Sequence, residues 1–289
     1  MRRACGALLV LLCACSSGDK QPAAPPQDQA LVRHEQAGKI AYDLDRPDEA
    51  VAQFEAALTQ AQARDDLQAI ADLSFNLAVA QLRANRPQDA LATTQRARAE
   101  LVRRGRAPFP ALLLAEATAL YRLGKRDQAD GVAAEVEAMG DFDSAAGASF
   151  LRGLIADESD NEPGLRAAAE RLSGAGAPLR VADRMELVAR LALRQHSLPQ
   201  AHAAAMEAAG IRQEGLDYRG MARALAVAGQ AAEQSGDREL AADLYLRAGR
   251  SAAAQSDVDT ARPWLERALS LTGDEATEQA AEAALAGLP

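Results

Sequence analysis

Three observations predict an all-α fold assembled from repeated helix pairs. Hydrophobic residues make up 48% of the 289-residue chain, yet aromatics are only 3% and most of the rest is alanine and leucine, which suits closely packed helices better than sheets rich in β-branched and aromatic residues. A short cassette of turn residue, acid or amide, then alanine recurs along the chain. Behind each copy the apolar residues fall at helical spacing, and self-similarity of this length marks repeat architectures. With 25% charged residues the composition is that of an ordinary folded protein.

Residues 1–14 stand apart from the fold. Arg2 and Arg3 form a positive start, Ala4 to Leu12 an apolar stretch too short to span a bilayer, and Leu12-Cys13-Ala14-Cys15 a small-residue cleavage site, the pattern of a cleaved export signal. The segment resembles the bacterial lipoprotein signal, with Leu12 three residues before Cys15 and Ala14 just before it; Cys13 departs from the small residue usual there. That resemblance implies a lipidated Cys15 and an acylated N-terminus, whose several chains together anchor stably where one would not. A plain secreted protein cut near Cys15 is the alternative. Ser16 stands where Asp would resemble the inner-membrane retention signal, so the expected location is the outer membrane, facing the periplasm.

Residues 15–30 carry Ser16-Ser17-Gly18 and the run Gln21-Pro22-Ala23-Ala24-Pro25-Pro26-Gln27 and are expected to be a lipidated flexible tether. Cleavage would remove Cys5 and Cys13 and leave Cys15 acylated, so the mature domain would hold no free thiol and no disulfide. Losing Arg2 and Arg3 leaves thirty Lys and Arg against 41 acids, a formal net charge of −11, which disfavours nucleic acid as a partner.

Residues 31–272 hold the repeats. The clearest cassettes are Asp45-Arg46-Pro47-Asp48-Glu49-Ala50, followed by Phe54 and Ala57, and Asn85-Arg86-Pro87-Gln88-Asp89-Ala90, followed by Thr94 and Ala97. Further copies begin at Gly124, His196 and Gly236 and place Ala129, Ala201 and Ala241 in the same position. Each Gly or Asn ends one helix, and each Pro or acid opens the next. A degraded copy runs from Phe150 to Leu172 with its turn at Asp157 to Pro163, and Thr260 to Leu271 reads as a last second-type helix. Residues 273–289 read as a capping helix, with Glu275, Glu278 and Glu282 on its polar side.

This array resembles tetratricopeptide repeats. In that family a small residue in the first helix meets small, bulky and Ala positions in the second, and Gly38, Ala50, Phe54 and Ala57 match them; Ala78, Ala117, Ala189 and Gly229 take the first-helix position in later copies. Two departures stand out: His34, Ser74, Leu113 and Met185 replace the family's aromatic, and the spacing of 36 to 40 residues implies helices about a turn longer than standard. The resemblance implies a right-handed α-solenoid of antiparallel helix hairpins whose first helices line a concave groove.

Chemistry is sparse. His34, His196 and His202 share no helical face, and no metal-ligand, nucleophile or phosphate-loop motif occurs, so no catalysis, metal or cofactor is expected. Arg96, Arg98, Arg103, Arg104 and Arg106 crowd the second repeat, and acids from Glu135 to Glu162 crowd the middle. These blocks are either solvated helix faces or a polarised surface that steers a charged partner.

On the resemblance, the groove receives Tyr42 and Asp43; Phe75, Asn76, Val79 and Arg83; Leu114, Thr118, Tyr121 and Arg122; and Glu186, Arg190, Leu193 and Arg194. Phe75 and Tyr121 are candidate anchors for a peptide, with Asn76 and Arg83 able to bond its polar groups, although Phe75 equally suits helix-packing core. The expected function is a membrane-anchored scaffold or assembly factor that binds a protein or peptide in the bacterial envelope. An adaptor or regulatory subunit of a cell-wall hydrolase or protease is the alternative.

Overall fold

The computed structural model describes residues 28–174 and 176–288; the expected export signal, Cys15 and the expected tether through residue 27 lie outside the described residues. Among the described residues the chain forms fourteen helices and no strand. Seven antiparallel pairs follow one another: α1 (Gln29–Asp43) with α2 (Pro47–Ala63), α3 (Leu67–Arg83) with α4 (Pro87–Arg103), α5 (Pro110–Arg122) with α6 (Arg126–Ala138), and α7 (Phe142–Glu158) with α8 (Glu162–Arg171). Then come α9 (Pro178–Arg194) with α10 (Leu198–Glu214), α11 (Tyr218–Gln234) with α12 (Arg238–Ala254), and α13 (Val258–Leu271) with α14 (Glu275–Ala286). The first helix opens at Gln29, capped by the Asp28 carboxylate, so residues 29 and 30 belong to the fold and not to the tether.

Turn chemistry sets the helix boundaries. Asp45, Asp65, Asn85, Asp160, His196 and Ser256 end their helices in the left-handed region, as do Gly105, Gly124 and Gly236, and that conformation lets the next backbone N–H groups reach back to the last carbonyls. Asp, His and Ser thus take at several turns the place expected of Gly or Asn. Proline opens α2, α4, α5, α8, α9 and α10, where its missing N–H is harmless. Asp66, Asp141, Asp217, Asp237 and Asp274 cap others by accepting from their first free N–H groups.

The recurring small residues lie where the helices cross. Ala50, Ala90, Ala129 and Ala201 are each 0% exposed. At Gly38 a Cβ would stand 2.8 Å from the Phe54 ring, and at Gly249 2.6 Å from Leu265 Cγ, so the helix axes come close only because nothing larger is present. The buried side chains divide into five clusters in succession along the array, and stability is therefore built from nearest-neighbour interfaces instead of one central core.

Most helices have 17 residues, as α3 and α9 do, whereas α5 and α6 have 13 and α8 only 10. The degraded copy is thus a real but shortened hairpin. At the C-terminal end α13 stands in the odd, first-helix place of the chain order, while its Ala261, Leu265 and Ala268 are buried in the manner of a second helix. The capping helix α14 packs on α12 as well as on α13, whereas earlier in the array odd helices pack on odd ones. The alternation shifts by one helix there, so both descriptions of α13 have a physical basis. No helix among the described residues is long and apolar enough to cross a membrane.

Candidate functional site

The superhelix brings its early hairpins back against its late ones. A cleft of roughly 530 Å³ lies between the end of α1, the end of α3 and α5 on one side and the turns flanking α11 and α12 on the other. Its walls include Tyr42, Val79, Arg83 and Arg122 from the first three pairs, and Tyr218, Arg219 and Arg223 from α11. The Asn85 side-chain amide donates to the Ser256 carbonyl at 3.0 Å across the mouth.

Four guanidinium groups converge on this cleft, and their partners differ. Arg83 donates to Asp45 at 2.8 Å and lies 4.9 Å over the Tyr42 ring. Arg223 donates to Glu186 at 2.7 Å. Arg219 pairs with Asp257, but its second terminal nitrogen is buried without a hydrogen-bond partner. Arg122 donates to the Leu82 backbone carbonyl and has no carboxylate partner among the described residues. Burial, together with the charges of Arg219 and Arg223, pushes the Arg122 guanidinium down to about 9.

Behind the cleft lies a buried ion cluster. Glu186 is 0% exposed and accepts from Arg190 at 3.1 Å, Arg212 at 3.0 Å and Arg223 at 2.7 Å. Burial alone would raise this carboxyl; the charges of Arg223, Arg190 and Arg212 outweigh it and bring it down to about 2. Asp183 accepts from Arg212 at 2.7 Å, yet burial pushes it up to about 6. Phe150 lies 5.2 Å from the Arg212 guanidinium and 5.4 Å from that of Arg223.

Of the residues expected in the groove, the cleft gathers Tyr42, Val79, Arg83 and Arg122, and the others stand elsewhere. Phe75 packs edge-on against Phe109, with ring centroids 5.9 Å apart. Half-buried Asn76 lies on α3, outside this lining. Leu114 fills the space over Gly147, where a Cβ would meet it at 2.7 Å, and the Thr118 hydroxyl donates to the Leu114 carbonyl at 2.8 Å. Tyr121 donates its hydroxyl to Glu158 and packs between two core clusters; burial and that carboxylate raise its hydroxyl well above the usual range. Arg190 and Arg194 both bond to Asp157, at 2.8 and 2.6 Å, tying α9 to α7.

The contribution of α11 was not anticipated. Tyr218, Arg219 and Arg223 sit within one and a half turns of one helix face, and the four-residue spacing of the two arginines is the only local sign of it. The charge blocks, in turn, are largely engaged inside the array. Arg98 reaches Glu135 at 2.7 Å, Arg104 pairs with Asp65, Arg180 with Asp143, and Arg152 with Asp130 at 2.7 Å. Many of these bonds span 37 to 39 residues, one repeat.

A second cleft, roughly 700 Å³, opens between α2, α3 and α4, where the Gln81 side-chain amide oxygen and the Thr93 hydroxyl have no partner among the described residues. Arg96, Arg103 and Arg104 line it too, but Arg103 pairs with Glu100 and Arg104 with Glu100 and Asp65 within the same lining. No group of three or more His, Cys, Asp and Glu suited to a metal ion occurs among the described residues.

No protein-family model matches the chain, and no curated protein matches its sequence. Among solved structures it is similar to a tetratricopeptide repeat protein from Parabacteroides merdae, 17% identical, with 89% of this chain and 100% of that one covered at a TM-score of 0.50. Weaker likenesses are to BtubC from P. vanneervenii (20% identical, 78% and 92% covered, TM-score 0.38) and to the TPR2AB domain of yeast Sti1 in its pHSP90 complex (16% identical, 87% and 98% covered, TM-score 0.33). The first likeness is one of fold: this chain has the all-α solenoid architecture of tetratricopeptide repeat proteins.

Proposed function

We propose that the chain is a non-catalytic protein–protein interaction scaffold, tethered to the bacterial outer membrane through a lipidated Cys15, that receives a protein or peptide on the inner face of its superhelix. The observation that carries this reading is the cleft at the closure of the array. Tyr42, Arg83, Arg122 and Tyr218 converge there from helices far apart in sequence, and tyrosine and arginine in a concave site are the side chains that most often anchor a partner. The similarity in fold to a tetratricopeptide repeat protein supports the same reading.

Photo-crosslinkers at Tyr42 and Tyr218, introduced one at a time into the full chain in native membranes, test it. Capture of the same protein from both sites supports a scaffold, and a hydrolase or protease as that protein would select the adaptor form of the reading. Crosslinks no richer than those from exposed Glu278 on α14 would sink it. Anchoring is tested by the mass of the mature N-terminus and by Cys15→Ala, which should release the protein from membranes.

A further inference from the structure

The cleft has a charge left over and an apolar wall beside it. Arg83 is answered by Asp45, Arg219 by Asp257 and Arg223 by Glu186, while Asp217 is held by Arg212. Asp48, at the rim, is exposed. Among the described residues Arg122 alone of these cations has only a neutral carbonyl, and beside it one buried nitrogen of Arg219 has no acceptor. A partly buried guanidinium without an anion is costly to keep in a fold, and every other cation around the cleft avoids that state. Three of the large apolar side chains exposed to solvent, Leu179, Leu216 and Tyr218, line the same cleft.

We propose that this cleft is a binding site for a monocarboxylic acid with an apolar body, its carboxylate seated on Arg122 and the unpartnered edge of Arg219 and its body against Leu179, Leu216 and Tyr218. A carboxylate offers two oxygens to the planar fork of a guanidinium. Its single negative charge matches the single unanswered cation, whereas a phosphate dianion would overshoot among Asp45, Asp217 and Asp257. Because the walls come from α5 and α11, the bound acid would also bridge the two ends of the closed array. The acid is a small molecule, and a peptide's C-terminal carboxylate, which presents the same group, is the competing occupant. A small acid needs no protein partner, so this site and the scaffold reading can fail separately.

Titration calorimetry on the full chain tests the site with acetate, benzoate, inorganic phosphate and a tetrapeptide Gly-Gly-Ala-Leu whose terminus is free or amidated. Benzoate should bind saturably, more tightly than acetate and more tightly than the free or the amidated peptide. Preference for benzoate supports the small acid, and preference for the free peptide would overturn it in favour of a chain terminus. Arg122→Gln should weaken binding by about tenfold or more, as loss of a charge-assisted hydrogen bond does, while Arg106→Gln, an exposed arginine outside the cleft, should leave it unchanged. Leu216→Glu, on an exposed turn, places a competing negative charge at the rim and should weaken binding even if Arg122→Gln does not fold. No saturable carboxylate, equal affinity in the two cleft variants and the parent chain, or phosphate binding tighter than every carboxylate would overturn the assignment.

Discussion

Asn85 donates its side-chain amide to the backbone carbonyl of Ser256 at 3.0 Å, across 171 residues of chain. The bond joins the turn between α3 and α4 to the turn between α12 and α13, and so holds the mouth of the cleft. Asn85 has φ 57, a conformation glycine adopts without strain, so Asn85→Gly deletes the amide and keeps the turn. Thermal stability should change by no more than about 0.5 kcal/mol, while spin labels on the two turns should separate or broaden their distance distribution. An unchanged distribution would show that this bond does not hold the closure.

Glu186→Gln should be the most damaging single polar change. It leaves Arg190, Arg212 and Arg223 without their shared carboxylate, and breaking a buried charge cluster costs about 3–5 kcal/mol. The loss should also depend on pH. The folded-state carboxyl lies at about 2, below its ordinary 4.5, so its contribution is fully present above about pH 4.5 and disappears as pH falls through about 2. Urea melts should show a wide gap between parent and variant at pH 7 and a narrower one at pH 3; a constant gap would refute the linkage.

Two glycine substitutions should move stability in opposite directions. At Gly153 a Cβ would stand 2.5 Å from a methyl of fully buried Leu187 and 3.1 Å from the Ala168 Cβ, so Gly153→Ala should cost about 1–3 kcal/mol through overpacking. Gly131 lies inside α6 with nothing within 4 Å of its would-be Cβ. There Gly131→Ala should stabilise by about 0.5–1 kcal/mol from helix propensity alone. Equal effects at the two sites would mean that α7 does not approach its neighbours as closely as described.

Leu216 holds φ 56 while 57% exposed, which costs an L-residue about 1–2 kcal/mol. Leu216→Gly relieves that strain at the price of a freer unfolded chain, and the melting temperature should rise slightly. If the apolar side chain contacts the proposed acid, the same variant should bind benzoate more weakly than the parent does. A rise in stability with unaltered affinity would separate the strain from any role in the site.

The scaffold was readable from sequence because its signal is periodic. Ala50, Ala90, Ala129 and Ala201 recur in phase, each with its turn, and all are fully buried. The site was only half readable, because the side of a first helix that meets the interior depends on curvature summed over many hairpins. Tyr42, Arg83 and Arg122 reach the cleft, but Arg190 and Arg194 are drawn to Asp157 one repeat upstream and Phe75 to Phe109. Beyond the four-residue spacing of Arg219 and Arg223, nothing local announces that α11 will face Tyr42, since that meeting is made by the nine helices from α4 to α12 that lie between the two turns of the closure.

That return of the chain onto itself makes hairpin number a fixed quantity instead of an adjustable one. An open solenoid can gain or lose a unit by duplication and remain much the same molecule. Here one extra unit anywhere from α4 to α12 would carry Ser256 past Asn85, pull Tyr218 and Arg219 away from Arg122, and erase the cleft without disturbing any single interface between neighbours.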